Sequence, residues 1–475
     1  MEPLPRDLTS SLENIFHPRS IAIIGGLELW VDMLLEFGYP GRIYPVHPQR
    51  EEIAGLKVYR TLSHVPEPID FAILSVPAPL FPQVIQECAA KDIKTITSPA
   101  CGFSEAGTDE GKKLEADVVR LARRLGIRII GPNCLGIYCP ESGLTFCHGM
   151  SRQKGHVGYI SQSGTNATRL VRLANMRGIY FSKAIAYGNA CDLKASDFIE
   201  YFMNDPETKM VAAYIEGVKD GQRFFRTVKE CTKKKPVVIL KGGLTRAGSR
   251  ATSSHTGSLG GSETTWEAFF RQTGTIRVDT LEEMADVAMA FLYMSCPKGR
   301  RAGIVGSGAG GGVLLADACE RAGLSVPPFL HQTKKGLERI LPSIGASAGN
   351  PVDGGPPVAN SNLMKEGLRL VAEDTQIDFM IVHLNIDLAW FFGSVDDLRE
   401  NIGELISVAG SLAKPAVVVL HATPGPEEHG LLADAQQRCL EAGLPVYTTY
   451  GGAAKGIAKF IWYHEFKGAN SGQGD

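Results

Sequence analysis

The chain has almost no net charge. Its 49 Lys and Arg stand against 51 Asp and Glu, a formal balance of −2 over 475 residues. Such a balance gives no basic footprint for nucleic acid. No apolar run reaches the roughly 18 residues that a bilayer-spanning helix needs. Met1 to Asp7 lacks the basic and apolar segments of a secretory leader. The ten cysteines include no C-x-x-C pair, so neither a zinc site nor a disulfide framework is indicated. A reduced, cytoplasmic compartment is the expectation, with no membrane or nucleic-acid partner and no metal ligands. No repeat with a period of about 20 to 50 residues is visible.

What is present is alternation. Apolar runs at Ser20–Ile24, Arg42–Val46, Phe71–Val76, Thr95–Thr97 and Arg128–Ile130 each end in Gly, Pro or Asn. Helical patterns fill the gaps, clearest at Phe81–Lys91 and Thr108–Leu125. Strands alternating with helices predict a parallel, doubly wound sheet. Ligands bind such sheets beyond the carboxyl ends of the strands. A second unit starts near His156, with strands at Val157–Ile160, Phe181–Ala186, Val211–Ile215 and Val237–Leu240. Helices are expected over 166–176, 196–203 and 223–231, and a long helical region over 263–295. A polar link at Cys296–Arg301 opens a third unit, with strands at Ala302–Val305, Leu324–Val326, Phe379–Leu384 and Ala416–Leu420. The length suits three domains.

Two stretches carry chemistry. Lys241 to Ser262 is nearly free of large apolar side chains and reads as a long Gly- and hydroxyl-rich loop holding Arg246, Arg250 and His255. Glycines admit close backbone approach to an anion, and a histidine there could accept a phosphoryl group. A surface loop with an incidental histidine is the alternative. Ser161-Gln162-Ser163-Gly164 stands between a strand and a helix, where free N–H groups and the helix dipole favour phosphate; a simple Ser cap is the plainer reading. Glu216, at the carboxyl end of a strand, could orient an imidazole, or could instead pair with Lys219 or Arg223.

Gly306-Ser-Gly308-Ala-Gly-Gly311 has the G-x-G-x-x-G spacing of a dinucleotide turn. That fingerprint needs an acid about 20 positions on, at the end of the second strand. Pro327-Pro328-Phe329 follows the expected second strand without one, so a nicotinamide dehydrogenase rests on the glycines alone.

The segments Ser253 to Ser262, Tyr214 to Gly221, Gly41 to Gln49, Val76 to Leu80, Gly102 to Gly107, Gly131 to Gly136 and Asn350 to Gly354 together resemble the NDP-forming acyl-CoA synthetases. That superfamily includes ADP-forming acetyl-CoA synthetase and succinyl-CoA synthetase. The resemblance covers about residues 15 to 465, in the family's domain order. It implies a CoA-binding Rossmann-like domain (1–150), a ligase domain with the phosphohistidine (151–296), a second flavodoxin-like ligase domain (297–466) and a flexible tail (467–475). It implies His255 as phosphoryl carrier, Glu216 as its orienting group, and Ser161, Gln162, Ser163, Gly164, Thr256 and Gly257 around the phosphate. Gly25, Gly26, Val76, Pro77, Asn133 and Cys134 would meet CoA. The implied reaction is that of an acid–thiol ligase: an acyl-CoA thioester forms reversibly from a small carboxylate and CoA, through an acyl phosphate and the phosphohistidine. No nucleotide-binding ATP-grasp module follows residue 465. The chain therefore resembles an α subunit of a hetero-oligomer, with ATP/ADP and Mg2+ expected on an ATP-grasp β subunit. The family's glycine loop after the first strand is longer than here, where Gly25-Gly26 leads straight into Leu27-Glu28-Leu29-Trp30. That shortening motivates an alternative: a non-catalytic or repurposed member, regulatory or assembling, with weakened CoA binding.

Overall fold

The computed structural model describes residues 12–25, 28–256, 262–306, 308–342, 346–354, 361–386, 395–421 and 428–471. The chain divides into two units between Leu281 and Glu282.

Among the described residues the first unit holds two large sheets and a two-stranded ribbon, Glu52–Ile53 with Leu56–Lys57. In the N-terminal sheet, β1 (Ser20–Ile24), β2 (Arg42–Val46), β3 (Phe71–Leu74), β4 (Thr95–Thr97) and β5 (Arg128–Ile130) are all parallel, in the order β2-β1-β3-β4-β5. All five residues of β1 are buried, which is why it reads as an unbroken apolar run rather than an alternating one. The crossover helices are α1 (Glu28–Glu36), α2 (Phe81–Ala90) and α3 (Asp109–Arg124). The sequence of α3 marks both of its ends. Thr108 caps it, accepting from Gly111 N at 3.1 Å; Asp109 and Glu110 lie in the first turn and Arg123 and Arg124 in the last, in the sense that the helix dipole favours.

The second sheet begins inside the stretch assigned from sequence to the first domain. Its strands are β6 (Gly136–Tyr138), β7 (Val157–Ser161), β8 (Phe181–Ala186), β9 (Met210–Ile215), β10 (Val237–Lys241) and β11 (Ile276–Val278), in the order β11-β10-β9-β7-β8-β6. Only β6 is antiparallel. The helices are α4 (Gly164–Asn175), α5 (Ala195–Asn204), α6 (Gly221–Lys234), α7 (Arg246–Thr256) and α8 (Glu263–Thr273).

In the second unit, α9 (Leu281–Tyr293) precedes β12 (Ala302–Gly306), α10 (Ala309–Arg321), α11 (His331–Ile340), β13 (Val352–Asp353), α12 (Ser361–Glu373), β14 (Phe379–Asn385), α13 (Val395–Ser411), β15 (Ala416–His421), α14 (Glu428–Glu441), β16 (Val446–Tyr447) and α15 (Tyr450–Ser471). The parallel sheet runs β13-β12-β14-β15-β16. α9 packs with this unit: Lys459 pairs with Glu283 at 2.8 Å, and the Tyr447 hydroxyl donates to the Asp286 carbonyl at 3.2 Å. No helix among the described residues is long and apolar enough to cross a membrane.

Four expectations change. The stretch 241–262 is not one long loop, because Arg246–Thr256 is helix α7. Thr245 caps it, its Oγ1 accepting from Gly248 N at 3.1 Å; Ala, Arg and Ser in the run are compatible with a helix. The 263–295 region is broken by β11, since Gly274 ends α8 in the left-handed conformation with φ 71°. Leu324–Val326 forms no strand; Ser325 makes a single bridge to Arg301, and β13 takes the neighbouring place in the sheet. Residues 467–471, expected as tail, continue α15.

Gly25 ends β1 with φ 95°, and a Cβ there would run into the Ser75 carbonyl oxygen. Gly25→Ala is expected to cost about 1–3 kcal/mol in backbone strain, measured by urea unfolding of the full chain; an unchanged midpoint would contradict this.

Candidate functional site

Three strands of the second sheet, β7, β9 and β10, end side by side. The turn after β7 opens α4 as expected. Ser163 is the N-cap, its Oγ accepting from Asn166 N at 3.3 Å. Ser161 is fully buried and donates to the Ser163 carbonyl at 2.7 Å. A Cβ on Gly164 would lie 2.8 Å from Leu135, so the helix start packs closely against that side chain. Gln162 turns the other way: its Oε1 accepts from Gly217 N at 2.9 Å and from Glu216 N. It therefore braces the strand end that carries Glu216.

Glu216 is 6% exposed. Its Oε1 accepts from the Tyr214 hydroxyl at 3.1 Å. Its Oε2 is buried without a hydrogen-bond partner among the described residues. The alternative pairings with Lys219 and Arg223 do not form. Lys219 donates to the Asn189 carbonyl at 2.9 Å and lies 3.6 Å from Glu115, while Arg223 pairs with Asp197 at 2.8 Å and Glu200 at 3.1 Å.

Sequence reasoning missed Lys241, the last residue of β10. It is buried, donates to the Glu216 carbonyl at 2.8 Å and to the Gly242 carbonyl, and lies 5.3 Å from the Trp266 ring centroid. Burial holds its ammonium down at about 8, against the opposing pull of Glu216. A lysine closing an otherwise apolar strand run was the available signal. Tyr187, just after β8, was missed too. Its hydroxyl is buried without a partner among the described residues, and burial, then Glu216, raises its pKa well above the ordinary value.

α7 starts five residues beyond Lys241 and lies beside the short 3-10 turn Ser104–Ala106. His255 and Thr256 fall in its last two positions. Their side chains, and Gly257, lie outside the described residues, as does Gly26.

The remaining candidates lie at the carboxyl edge of the first sheet. Val76 is half-buried and Pro77 exposed, between β3 and α2. Asn133, with φ 55°, accepts from the exposed Cys101 thiol at 3.3 Å through Oδ1. Cys134 points inward, with its sulfur 3.3 Å from Thr97 Oγ1, and burial raises its pKa. A buried thiol so placed offers a ligand only backbone. α1 begins at Glu28, four residues after β1 ends at Ile24, in keeping with the short loop read from the sequence.

These edges are joined across the two sheets. Asn189 donates through Nδ2 to Glu105 at 2.5 Å and to Glu115 at 3.0 Å. Glu105 in turn accepts from Gly102 N at 2.6 Å and Phe103 N at 3.1 Å. The turn 102–107 is thus held from the second sheet.

In the second unit a cavity of about 240 Å³ is lined by Gly306, Gly308, Gly312, Asn350, Asp353 and His383. Asp353 ends β13, beside β12, where a dinucleotide fold keeps its ribose acid. It accepts instead from Gly308 N at 3.1 Å, which takes up a donor that a pyrophosphate would need. Among the described residues no group of three or more His, Cys, Asp or Glu could hold a metal ion.

Comparison with known proteins agrees with this layout. Residues 29–140 match a CoA binding domain, 154–291 a succinyl-CoA ligase like flavodoxin domain and 303–448 a Ligase-CoA domain. The chain is 38% identical to the α subunit of acetate–CoA ligase (ADP-forming) II of Pyrococcus furiosus, over 78% of this chain and 81% of that one. It is 36% identical to acetate–CoA ligase (ADP-forming) I of Archaeoglobus fulgidus, spanning 78% of this chain but only 55% of that longer protein. The fold matches a solved acetyl-CoA synthetase 1 of Candidatus Korarchaeum cryptofilum, in complex with phosphate and ADP, with a TM-score of 0.82, 27% identity and 98% and 99% of the two chains covered.

The buried Lys241 makes a pH prediction. Between pH 8 and the ordinary lysine value of about 10.4, the unfolded chain holds a proton that the folded chain has released. Stability from this residue therefore rises with pH across that window. Wild type is expected to gain stability relative to Lys241→Met between pH 7.5 and 10 in urea unfolding; parallel curves would contradict the shift.

Proposed function

Because the chain belongs to the NDP-forming acyl-CoA synthetases, we propose that it works as the α subunit of an ADP-forming acid–thiol ligase, with His255 as its phosphoryl carrier. In the thioester-cleaving direction, an orthophosphate oxygen displaces the CoA thiolate from the acyl-CoA and leaves an acyl phosphate. The neutral imidazole of His255 then attacks phosphorus, and the carboxylate departs with the electron pair. The phosphohistidine passes its phosphoryl group to ADP on a partner subunit of ATP-grasp type.

The observation that carries this reading is the pairing of two features at one sheet edge. One is a helix N-terminus capped by Ser163, suited to phosphate. The other is buried Glu216, with one carboxylate oxygen lacking a partner among the described residues. An unpaired buried carboxylate oxygen costs free energy unless a donor arrives, and an imidazole N–H is such a donor. In this reading the Gly102–Gly107 and Gly131–Gly136 turns, with Val76 and Pro77, hold CoA, and the work is shared by a CoA-binding domain (1–150) and two ligase domains (151–296 and 297–466). Mg2+ belongs with the nucleotide on the partner. The acyl group is a small carboxylate, acetate being the probe that the relatives suggest, and the reaction is cytoplasmic. The regulatory or assembly alternative gains nothing specific from the site.

The test is phosphorylation of the full chain, with an ATP-grasp partner, by γ-labelled ATP and magnesium. Acid-labile, base-stable label is expected on wild type and none on His255→Ala, whose overall turnover falls by about 10^4-fold or more. An unlabelled wild type with a competent partner present would sink the reading.

A further inference from the structure

We propose that Tyr214 is a positioning residue of this site: its hydroxyl holds Glu216 by Oε1 and so assigns Oε2 to receive the histidine N–H. The inference rests on the roles of His255 and Glu216 proposed above.

Tyr214 and Glu216 stand two residues apart at the end of β9, a spacing that keeps both side chains on one face. The Tyr214 O–H donates to Glu216 Oε1 at 3.1 Å. A phenol has one proton to give, so Oε2 receives nothing from it. The Asn166 side chain, in the first turn of α4, lies near enough to the phenol to oppose the rise in its pKa that burial causes. Gly242 closes the other side, since a Cβ there would lie 2.7 Å from the phenol oxygen. The ring is thus lodged between the start of α4 and the turn leading to α7.

The main chain of Glu216 is fixed independently. Gln162 Oε1 accepts from its N–H, and Lys241 Nζ donates to its carbonyl at 2.8 Å. With the backbone pinned, the remaining freedom is rotation of the carboxylate, and Tyr214 removes it. Without the hydroxyl the two oxygens become equivalent and the acceptor loses its aim. A histidine acting through one nitrogen needs its other N–H held by a fixed acceptor, which sets the tautomer.

Tyr214→Phe keeps the ring and removes only this bond. The probes are acetyl-CoA and labelled orthophosphate, which phosphorylate His255 by the reverse half-reaction on the full chain. Single-turnover labelling is expected to slow about 10-fold in Tyr214→Phe, equivalent to about 1.4 kcal/mol in the barrier, with the concentration dependence on acetyl-CoA unchanged. The acid limb of the rate–pH profile is expected to move to higher pH, because a carboxylate deprived of a donor stabilises the imidazolium more strongly. Labelling at the wild-type rate and pH profile would overturn the proposal. A fall in acetyl-CoA affinity and in melting temperature matching the fall in rate would make Tyr214 a packing residue and overturn it equally. Wild type that takes no label would overturn the underlying phosphohistidine reading, and this inference with it.

Discussion

A carboxylate taken out of water must be matched by donors, and the joint between the first two sheets is built on that requirement. Asp192, whose side chain is 1% exposed, is met by Arg128 at 2.7 Å, Arg123 at 3.0 Å and Ile129 N at 3.1 Å. Removing one partner of such a buried group leaves an uncompensated charge, at a cost of about 3–5 kcal/mol. The loop after β8 is therefore not free to drift from β5. Glu115 repeats the device one helix away, collecting Ser104 Oγ at 2.6 Å, Asn189 at 3.0 Å and Lys219 at 3.6 Å. Through these groups the turns after β4, β5, β8 and β9 form one rigid edge. Both half-reactions of the proposed chemistry depend on that edge.

Glu216 departs from the pattern set by Asp192. Its neighbours spend three groups on holding its main chain and one oxygen, yet Oε2 has no partner among the described residues. A structural carboxylate would be satisfied on both oxygens, as Asp192 is. Tyr187 is unsatisfied in the same sense, a buried donor close enough to Glu216 to feel its charge. One acceptor and one donor, both buried and without partners among the described residues, suit the role proposed for this edge.

Much of this was legible in the sequence because parallel strands buried on both faces give unmistakable apolar runs. The five strands of the first sheet fall where those runs lie, and α3 announces both of its ends. The places of Glu216 at a strand's carboxyl end and of the Ser161–Gly164 turn before a helix were legible from the strand and helix patterns around them. What the sequence hid was tertiary. A lysine closing the apolar run of β10 was a signal, but nothing local names its partners, which are carbonyls 25 residues away and next door. Gln162 reads as a phosphate-binding residue by position; that its oxygen also accepts from Glu216 N and Gly217 N is a tertiary link the sequence does not show. α7 was read as loop because glycine and hydroxyl residues weigh against a helix on average, whereas Thr245 supplies a cap that starts one. β6 was not read as a strand at all, because three residues carry no record of a partner strand.

The three large sheets share one winding. Numbered within each sheet, the five parallel strands run 2-1-3-4-5 every time, so each has a crevice beside its first strand where the winding reverses. In the second unit that crevice has been partly filled from within. A Cβ on Gly306 would lie 2.7 Å from that of His383, and one on Gly311 would lie 2.7 Å from the Tyr450 hydroxyl. His383 is 1% exposed, bonds Tyr450 at 3.0 Å, and is held down at about 4 by burial and by His421. It is a neutral, hydrogen-bonded imidazole near neutral pH. The glycines that imitate a dinucleotide fingerprint are thus demanded by a histidine and a tyrosine packed against the turn. The same G-x-G-x-x-G spacing serves packing here, and only the side chains opposite the glycines decide between that use and the approach of a pyrophosphate.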